Sequence, residues 1–445
     1  MTKTLALLIF LALTALPLAA YCGEAEPLGL NECVRAALEK NHTLLSESEK
    51  HEAAKAGLGL AKSSFLPKVD VSETYMRSDN PVMVFGSKLD QGRFSMSDLT
   101  IQSLNHPSAI DNFNFRVQLT QPVYNGGKEF AGLKRADANL SASEKRLARA
   151  REETVFQAVQ GYYAVELSSE YISVALKSIE TTEGHLKAVQ SMYDQGTVVG
   201  SEPLLARVRL AEAKEMLIKA KNREATARAA LNMLMARPQD TDFVPTDGLA
   251  FVEFDGSLPG LIEEAEKARP DLSAMASDLE AIKQGVRLAR TDYLPNINVV
   301  GRYDIDTHGM FGSGDDSYTV MGVLSWNIFD GFSTTNGVHE AGANYNSAMH
   351  MMDRMKAGVE FEVRRAYYGL VEARERFKAA SGAVEEGEEG LRIIGRRFEA
   401  GMTRTIDVLD AEAALTRART DRVQALYDYN VAVAALKLAV GRMEY

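Results

Sequence analysis

The chain has 445 residues, 46% hydrophobic and 25% charged, which excludes compositional disorder and leaves ample apolar surface to bury. Its formal net charge is -11, and no Lys/Arg stripe interleaves with aromatics, so no nucleic-acid partner is expected. With 12 prolines and one tryptophan, and with Ala, Leu, Glu, Arg and Lys filling the longer stretches, the composition is that of long helices rather than of a sandwich.

Met1-Thr-Lys-Thr, the apolar run Leu5 to Leu16 and the closing Pro17-Leu-Ala-Ala20 have the charged start, apolar centre and small-residue end of a secretory signal, expected over residues 1–25. Cleavage after Ala20 would keep Cys22, and cleavage after Ala25 would remove it. Tyr21 precedes Cys22 where a lipid-attachment site needs a small residue, which argues against acylation. Cys33 falls within a helical pattern and reads as a small buried apolar residue; two cysteines cannot build a disulfide framework. After the signal no run of about 18 apolar residues occurs, so any membrane crossing must be made by strands.

The rest of the chain is written twice. Tyr162-Tyr163 matches Tyr367-Tyr368 at a displacement of 367 minus 162, or 205, and the same register places Gly126 on Gly331, Gly196 on Gly401 and Leu231 on Leu436. Upstream, Phe65-Leu66-Pro67-Lys-Val69-Asp-Val71 matches Tyr293-Leu294-Pro295-Asn-Ile297-Asn-Val299 at a displacement of 228, so the first copy carries 228 minus 205, or 23, extra residues between Val71 and Phe113. The expected organisation is a first repeat over 26–237, a Pro/Gly/Asp-containing linker over 238–260 and a second repeat over 261–445. Each repeat reads helix, strand, loop, strand, long helix, sharp turn, long helix.

In chain order, Phe113, Phe115, Val117 and Leu119 interleave with Asn114, Arg116, Gln118 and Thr120, the period of a strand with one apolar and one wet face. Ile297, Val299 and Tyr303 alternate with Asn296, Asn298 and Arg302 in the second copy. The stretch from about Arg77 to Asp111 reads as a long external loop, holding Pro81, Gly86, Gly92 and Pro107. Val155, Val159, Tyr162, Val165, Ser169, Ile172, Leu176 and Ile179 step by three or four and predict a narrow coiled-coil seam on a helix of about 100 Å, at about 1.5 Å per residue. Gly196 and Gly401 are placed to end their helices at positive φ. Four strands cannot close a barrel, and an open edge costs several kcal/mol per unpaired group in hydrocarbon, so closure requires other copies. Physics permits a dimer, trimer or tetramer.

The opening Leu30-Asn-Glu-Cys-Val-Arg-Ala-Ala-Leu38-Glu-Lys-Asn41, the Leu66-Pro67 and Leu294-Pro295 strand entries, the corners Gln121-Pro122-Val-Tyr-Asn-Gly126 and Trp326-Asn-Ile-Phe-Asp-Gly331, and the turn Arg397-Phe398-Glu-Ala-Gly401-Met-Thr-Arg404-Thr-Ile-Asp407-Val-Leu409-Asp410 together resemble the TolC-like outer-membrane efflux family. The resemblance implies a mostly α chain with a transmembrane β-barrel: a homotrimer whose subunits give four strands each to a twelve-stranded barrel, continued by a periplasmic helical tunnel. It further implies a place in the outer membrane, a periplasmic adaptor and an inner-membrane pump as partners, outer-membrane lipid around the barrel, and no cofactor. Carboxylates six and nine positions after the second-copy glycine line the closed aperture in that family. Here those positions are Asp407 and Asp410, with Glu202 six after Gly196 in the first copy. The family often places an arginine two residues after the glycine; Thr403 stands there, and Arg404 follows.

No His-Glu-x-x-His, Cys-x-x-Cys, phosphate-cradling Gly-rich loop or nucleophile elbow is present, so no enzyme is expected. Gly312-Ser-Gly-Asp-Asp316 has the residues of a calcium-loop fragment but falls at a strand-to-strand turn. The competing class is a periplasmic coiled-coil adaptor or scaffold with long helices and no barrel.

Overall fold

The computed structural model describes residues 26–310, 312 and 314–443, so the expected secretory signal and Cys22 lie outside the described residues. In the first half, β1 (Glu26–Leu28) leads into α1 (Leu30–Lys40), α2 (His42–Ser63), β2 (Lys68–Ser78), α3 (Pro81–Asp90), α4 (Ile101–Asn105), β3 (Ile110–Asn125), α5 (Lys128–Asp194) and α6 (Ser201–Leu234). After β4 (Phe243–Pro245) come α7 (Leu258–Ala268), α8 (Pro270–Thr291), β5 (Asn296–Thr307), β6 (Asp315–Ser325), α9 (Ser333–Glu399) and α10 (Thr405–Val440).

Helices α5 and α9 each hold 67 residues, about 100 Å at about 1.5 Å per residue. A lone helix of that length gains little from propensity, so its stability comes from packing. One core gathers Cys33, Val34, Val155, Val159, Tyr162, Leu231 and Phe243 of the first half together with Ala434 and Met443, and a second gathers Leu261, Leu272, Val359, Val363, Tyr429 and Leu436 of the second half. Burial pushes the Cys33 thiol up to about 12, against a weaker pull from Arg237, which leaves it an inert apolar filler. Within the linker, β4 pairs in parallel with β1, and the Tyr162 hydroxyl ties the two regions: it donates to Leu28 O (3.2 Å) and accepts from Thr246 N (3.0 Å) and Asp247 N (2.9 Å).

The seam on α5 holds at Val155, Val159, Tyr162 and Val165 but then departs from the expected path. Ser169 and Leu176 are exposed, and the buried positions are Ser168, Ala175, Thr182 and Val189. Those four recur every seven residues, as do buried Ala206, Ala213 and Ala220 on α6. Small side chains at that interval let helix backbones approach closely and follow one another over many turns. Leu176 is half exposed.

The four-stranded sheet runs β2-β3-β5-β6, antiparallel throughout. Its register gathers most apolar side chains on one face, where Glu73, opposite Phe115, and the strand-end groups Arg77, Asp111 and Asp316 are the charged exceptions. Val69, Val71 and Tyr75 pair with Leu119, Val117 and Phe113; β5 continues that face with Val299, Tyr303 and Ile305, and β6 with Leu324, Val320 and Tyr318. The opposite face carries cross-strand polar contacts: Arg116 Nε to Asp304 Oδ1 (2.6 Å), Asn112 Nδ2 to Asp306 Oδ1 (2.7 Å) and Arg302 Nε to Gln118 Oε1 (3.0 Å).

One expectation needs correction here. The segment from Arg77 to Asp111 is no structureless loop: it folds into α3, a 3-10 turn at Met96–Leu99 and α4. Asn80 Oδ1 caps α3 by accepting from Val82 N (3.1 Å) and Met83 N (3.3 Å), with Pro81 in the first turn, a start signal that outweighs Gly86. Trp326 opens the corner one residue past β6, where its Nε1 donates to Tyr293 O (3.1 Å).

Candidate functional site

Two regions carry what this chain can do, at opposite ends of the helices. At the sheet end, Pro122 sits where the β3–β5 register shifts; proline has no N–H to give the ladder, and the strand bends there toward its helix. Gly126 turns the corner at φ +62°, where an added Cβ would stand 2.8 Å from Thr291 O and 2.9 Å from Leu294 Cβ. Gly331 repeats the turn at φ +67°. The residue after it, Phe332, also sits at positive φ (69°), a position the first copy gives to Gly127. Around these corners Tyr124, Phe130, Tyr293, Trp326, Phe329 and Phe332 are exposed, while near the far end of the strands Tyr75, Tyr303 and Tyr318 are exposed on the apolar face. From Tyr318 to Trp326 a strand advances about 27 Å, at about 3.4 Å per residue, so an apolar band lies between two aromatic rows, the pattern of a strand crossing a bilayer.

At the other end α5 turns into α6 and α9 into α10 by the same device. Gly196 N donates to Tyr193 O (2.8 Å) and Thr197 N to Met192 O (2.9 Å); Gly401 N donates to Phe398 O (2.9 Å) and Met402 N to Arg397 O (2.8 Å). Both glycines take positive φ, +74° and +71°, as this helix ending requires. Val189, Phe398 and Val408 close a small apolar core behind the turns.

The four predicted polar residues are placed as follows. Asp407 is the third residue of α10 and caps it: Oδ2 accepts from Arg404 N (3.0 Å) and Thr403 Oγ1 (2.8 Å), and Arg404 Nη2 reaches Oδ1 at 3.3 Å. The Arg404 backbone N–H, then the Thr403 hydroxyl and the Arg404 guanidinium hold its carboxyl below the usual range. The Arg404 side chain is 79% exposed, so this pair is a surface contact within one subunit. Asp410 is not part of that group. It meets Arg209 Nη2 of α6 at 3.3 Å, and Arg209 in turn holds Glu212 at 2.9 Å. Glu202, in the first turn of α6, leaves its Oε2 without a hydrogen-bond partner.

The sequence reading missed Arg209, Glu412 and His185. Arg209 stands 201 positions before Asp410, close to the 205-residue repeat, so a map of repeat-equivalent helices would have set the two side by side. Glu412 and His185 lie about two to three turns above the tip, each 11 residues from its tip glycine. Burial pushes the Glu412 carboxyl up to about 7 and the His185 imidazole down, and Glu412 Oε2 and His185 Nε2 lack partners. The tip therefore concentrates acids with unused acceptor capacity, while the sheet end presents apolar surface.

The chain matches the family described as "Outer membrane efflux protein" over residues 33–237 and 261–442. It is 21% identical over 429 residues to the alkaline protease secretion protein AprF of Pseudomonas aeruginosa, covering 95% of this chain and 86% of that protein. It is 22% identical to the outer membrane protein TolC of Vibrio cholerae, covering 100% of this chain and 96% of that protein. Among solved structures, the Campylobacter jejuni CmeC outer membrane channel superposes with a TM-score of 0.81 at 21% identity, over 93% of this chain and 85% of that one. The open state of the Neisseria gonorrhoeae MtrE outer membrane channel superposes at 0.76 with 20% identity, over 93% of this chain and 88% of that one.

Proposed function

The chain belongs to the outer membrane efflux protein family, and from that premise we propose that it is the outer-membrane exit duct of a tripartite efflux or type I secretion machine. Three copies join β6 of one subunit to β2 of the next, closing a twelve-stranded barrel, and the helical hairpins continue the bore through the periplasm toward an adaptor and an inner-membrane pump. The observation that carries this reading is the sheet: two free edges, one polar face and one exposed apolar face bounded by aromatics. A periplasmic scaffold without a barrel would leave that apolar face and both edges in water, an aggregation liability no monomer sustains.

Conduction needs no chemistry from the chain. The pump supplies the energy, and the duct supplies a path whose narrowest point is the tip. There, Asp407, Asp410 and Glu202 from three subunits would form stacked acidic rings; unpaired, such rings repel one another and attract cations or arginines. Arg404 and Arg209 are the cations at hand.

Replacing Asp407 and Asp410 together with Ala removes the α10 cap and the Arg209 tie, and is expected to raise single-channel conductance in planar bilayers about two-fold or more. It should also abolish block by multivalent cations. Unchanged conductance and unchanged block would remove both residues from the gate. Detergent-dependent, heat-modifiable migration from an outer-membrane fraction, with a mass of three chains, tests the duct itself.

A further inference from the structure

The folded insert between β2 and β3 is held against one particular surface. Gln91, 4% exposed at the end of α3, donates through Nε2 to Asn112 Oδ1 (2.7 Å) and Asp111 O (2.9 Å), and lies 3.3 Å from Thr307 O on β5. Gly92, at φ +62°, abuts Asp315, the first residue of β6; an added Cβ would stand 3.0 Å from Asp315 Oδ2. Asn112, Asp306 and Asp315 all belong to the polar face of the sheet. The insert thus leaves β2, crosses the polar face and reaches β6, at the end of the strands farthest from the long helices.

Lys88 and Asp98 neutralise each other, while Asp79, Asp90 and Arg93 are exposed. Lys88 Nζ meets Asp98 Oδ1 at 2.6 Å, and Asp98 Oδ2 also accepts from Ser95 N (2.9 Å). Val84 and Ser87 of α3 are buried, whereas Val82 (78%), Leu89, Met96 (83%), Leu99 and Ile101 (80%) are exposed. An apolar surface therefore faces away from the sheet, on the side where a closed barrel would have its axis.

Dimensions decide what covers it. Twelve strands about 4.8 Å apart and tilted about 40° enclose a backbone radius of about 12 Å. A helix with its side chains is about 10 Å across, and three such cylinders fill a circle of about that radius only by touching. We propose that the three inserts meet on the barrel axis through Val82, Met96 and Ile101 and form an apolar cap over the external mouth, its occupant being the same segment of the two sister subunits. This rests on the trimeric duct proposed above. The mouth would then be shut to the medium until outward flow or cargo separates the inserts, in series with the tip.

The test uses the full-length chain in outer membranes, with Val82→Cys and Ile101→Cys made singly and a separate variant in which residues 81–105 are replaced by a short Gly/Ser turn. Under oxidant each cysteine should yield an intersubunit disulfide joining two of the three chains. In a Thr120→Cys background, whose added thiol lies on the polar face, a bulky maleimide given to intact cells should label about ten-fold faster once the insert is replaced. A heat-modifiable trimer that neither cross-links nor labels faster overturns the cap alone. Absence of that trimer from the unsubstituted chain overturns the duct on which the cap rests.

Discussion

Positions 41 and 269 are the same place in the two repeats, 228 residues apart, and they answer one structural demand with different chemistry. Asn41 caps α2 with its Oδ1 and sends Nδ2 to Leu234 O (3.1 Å). Arg269, 3% exposed, sends Nη1 to Ala439 O (3.0 Å), the carbonyl 205 residues beyond Leu234, and adds Asp271 (2.6 Å) and Glu362 (2.8 Å). Burial opposes the guanidinium charge, but the two carboxylates outweigh it and keep the group protonated. Arg269→Met should cost about 3 kcal/mol or more, because Asp271 and Glu362 are left without their cation, against about 1 kcal/mol for Asn41→Ala, which loses mainly a helix cap. Thermal unfolding followed by circular dichroism separates the two; equal shifts would show that the arginine adds nothing beyond the shared carbonyl contact. The equivalence of the two positions is written in the 228-residue register. What Arg269 reaches is not, because Glu362 and Ala439 come from helices whose rotation no single stretch of sequence fixes.

At the level of elements, strands and long helices differ in how far they can be read. The alternation at Phe113 to Thr120 is a period of two with no competitor, and it falls where β3 runs. The three-or-four spacing on α5 puts Leu176 in the seam; the structure buries Ala175 instead, since close helix approach favours the small residue. The insert carried its own start signal, Asn80-Pro81, which its glycines and length obscured. Because Ala213 is buried at the seven-residue interval along α6 that holds only small side chains, whereas Leu176 is half exposed, Ala213→Leu is expected to overpack the helices by about 1–3 kcal/mol and lower the unfolding midpoint, while Leu176→Ala leaves it nearly unchanged. The reverse order of effects would return the seam to the larger residues.

For the whole molecule, the decisive quantity is the free energy of placing one sheet face in hydrocarbon, since a single subunit gains nothing from presenting Val71, Val117, Tyr303 and Val320 to water. Val320 is 70% exposed and mid-strand, opposite Gly301, so an arginine there has no neighbour on its face with which to pair. Near the bilayer midplane such a substitution costs about 2–4 kcal/mol per subunit, and the trimer meets that cost three times. Val320→Arg is therefore expected to deplete the heat-modifiable species from outer membranes by ten-fold or more, about 1.4 kcal/mol per factor of ten being already exceeded in one subunit. Ser317→Arg, on the polar face beside Asp304, should assemble normally, because its charge would meet water and a carboxylate instead of lipid. Equal recovery of both variants would mean that the two faces see the same medium, which no closed barrel of these strands in a bilayer allows.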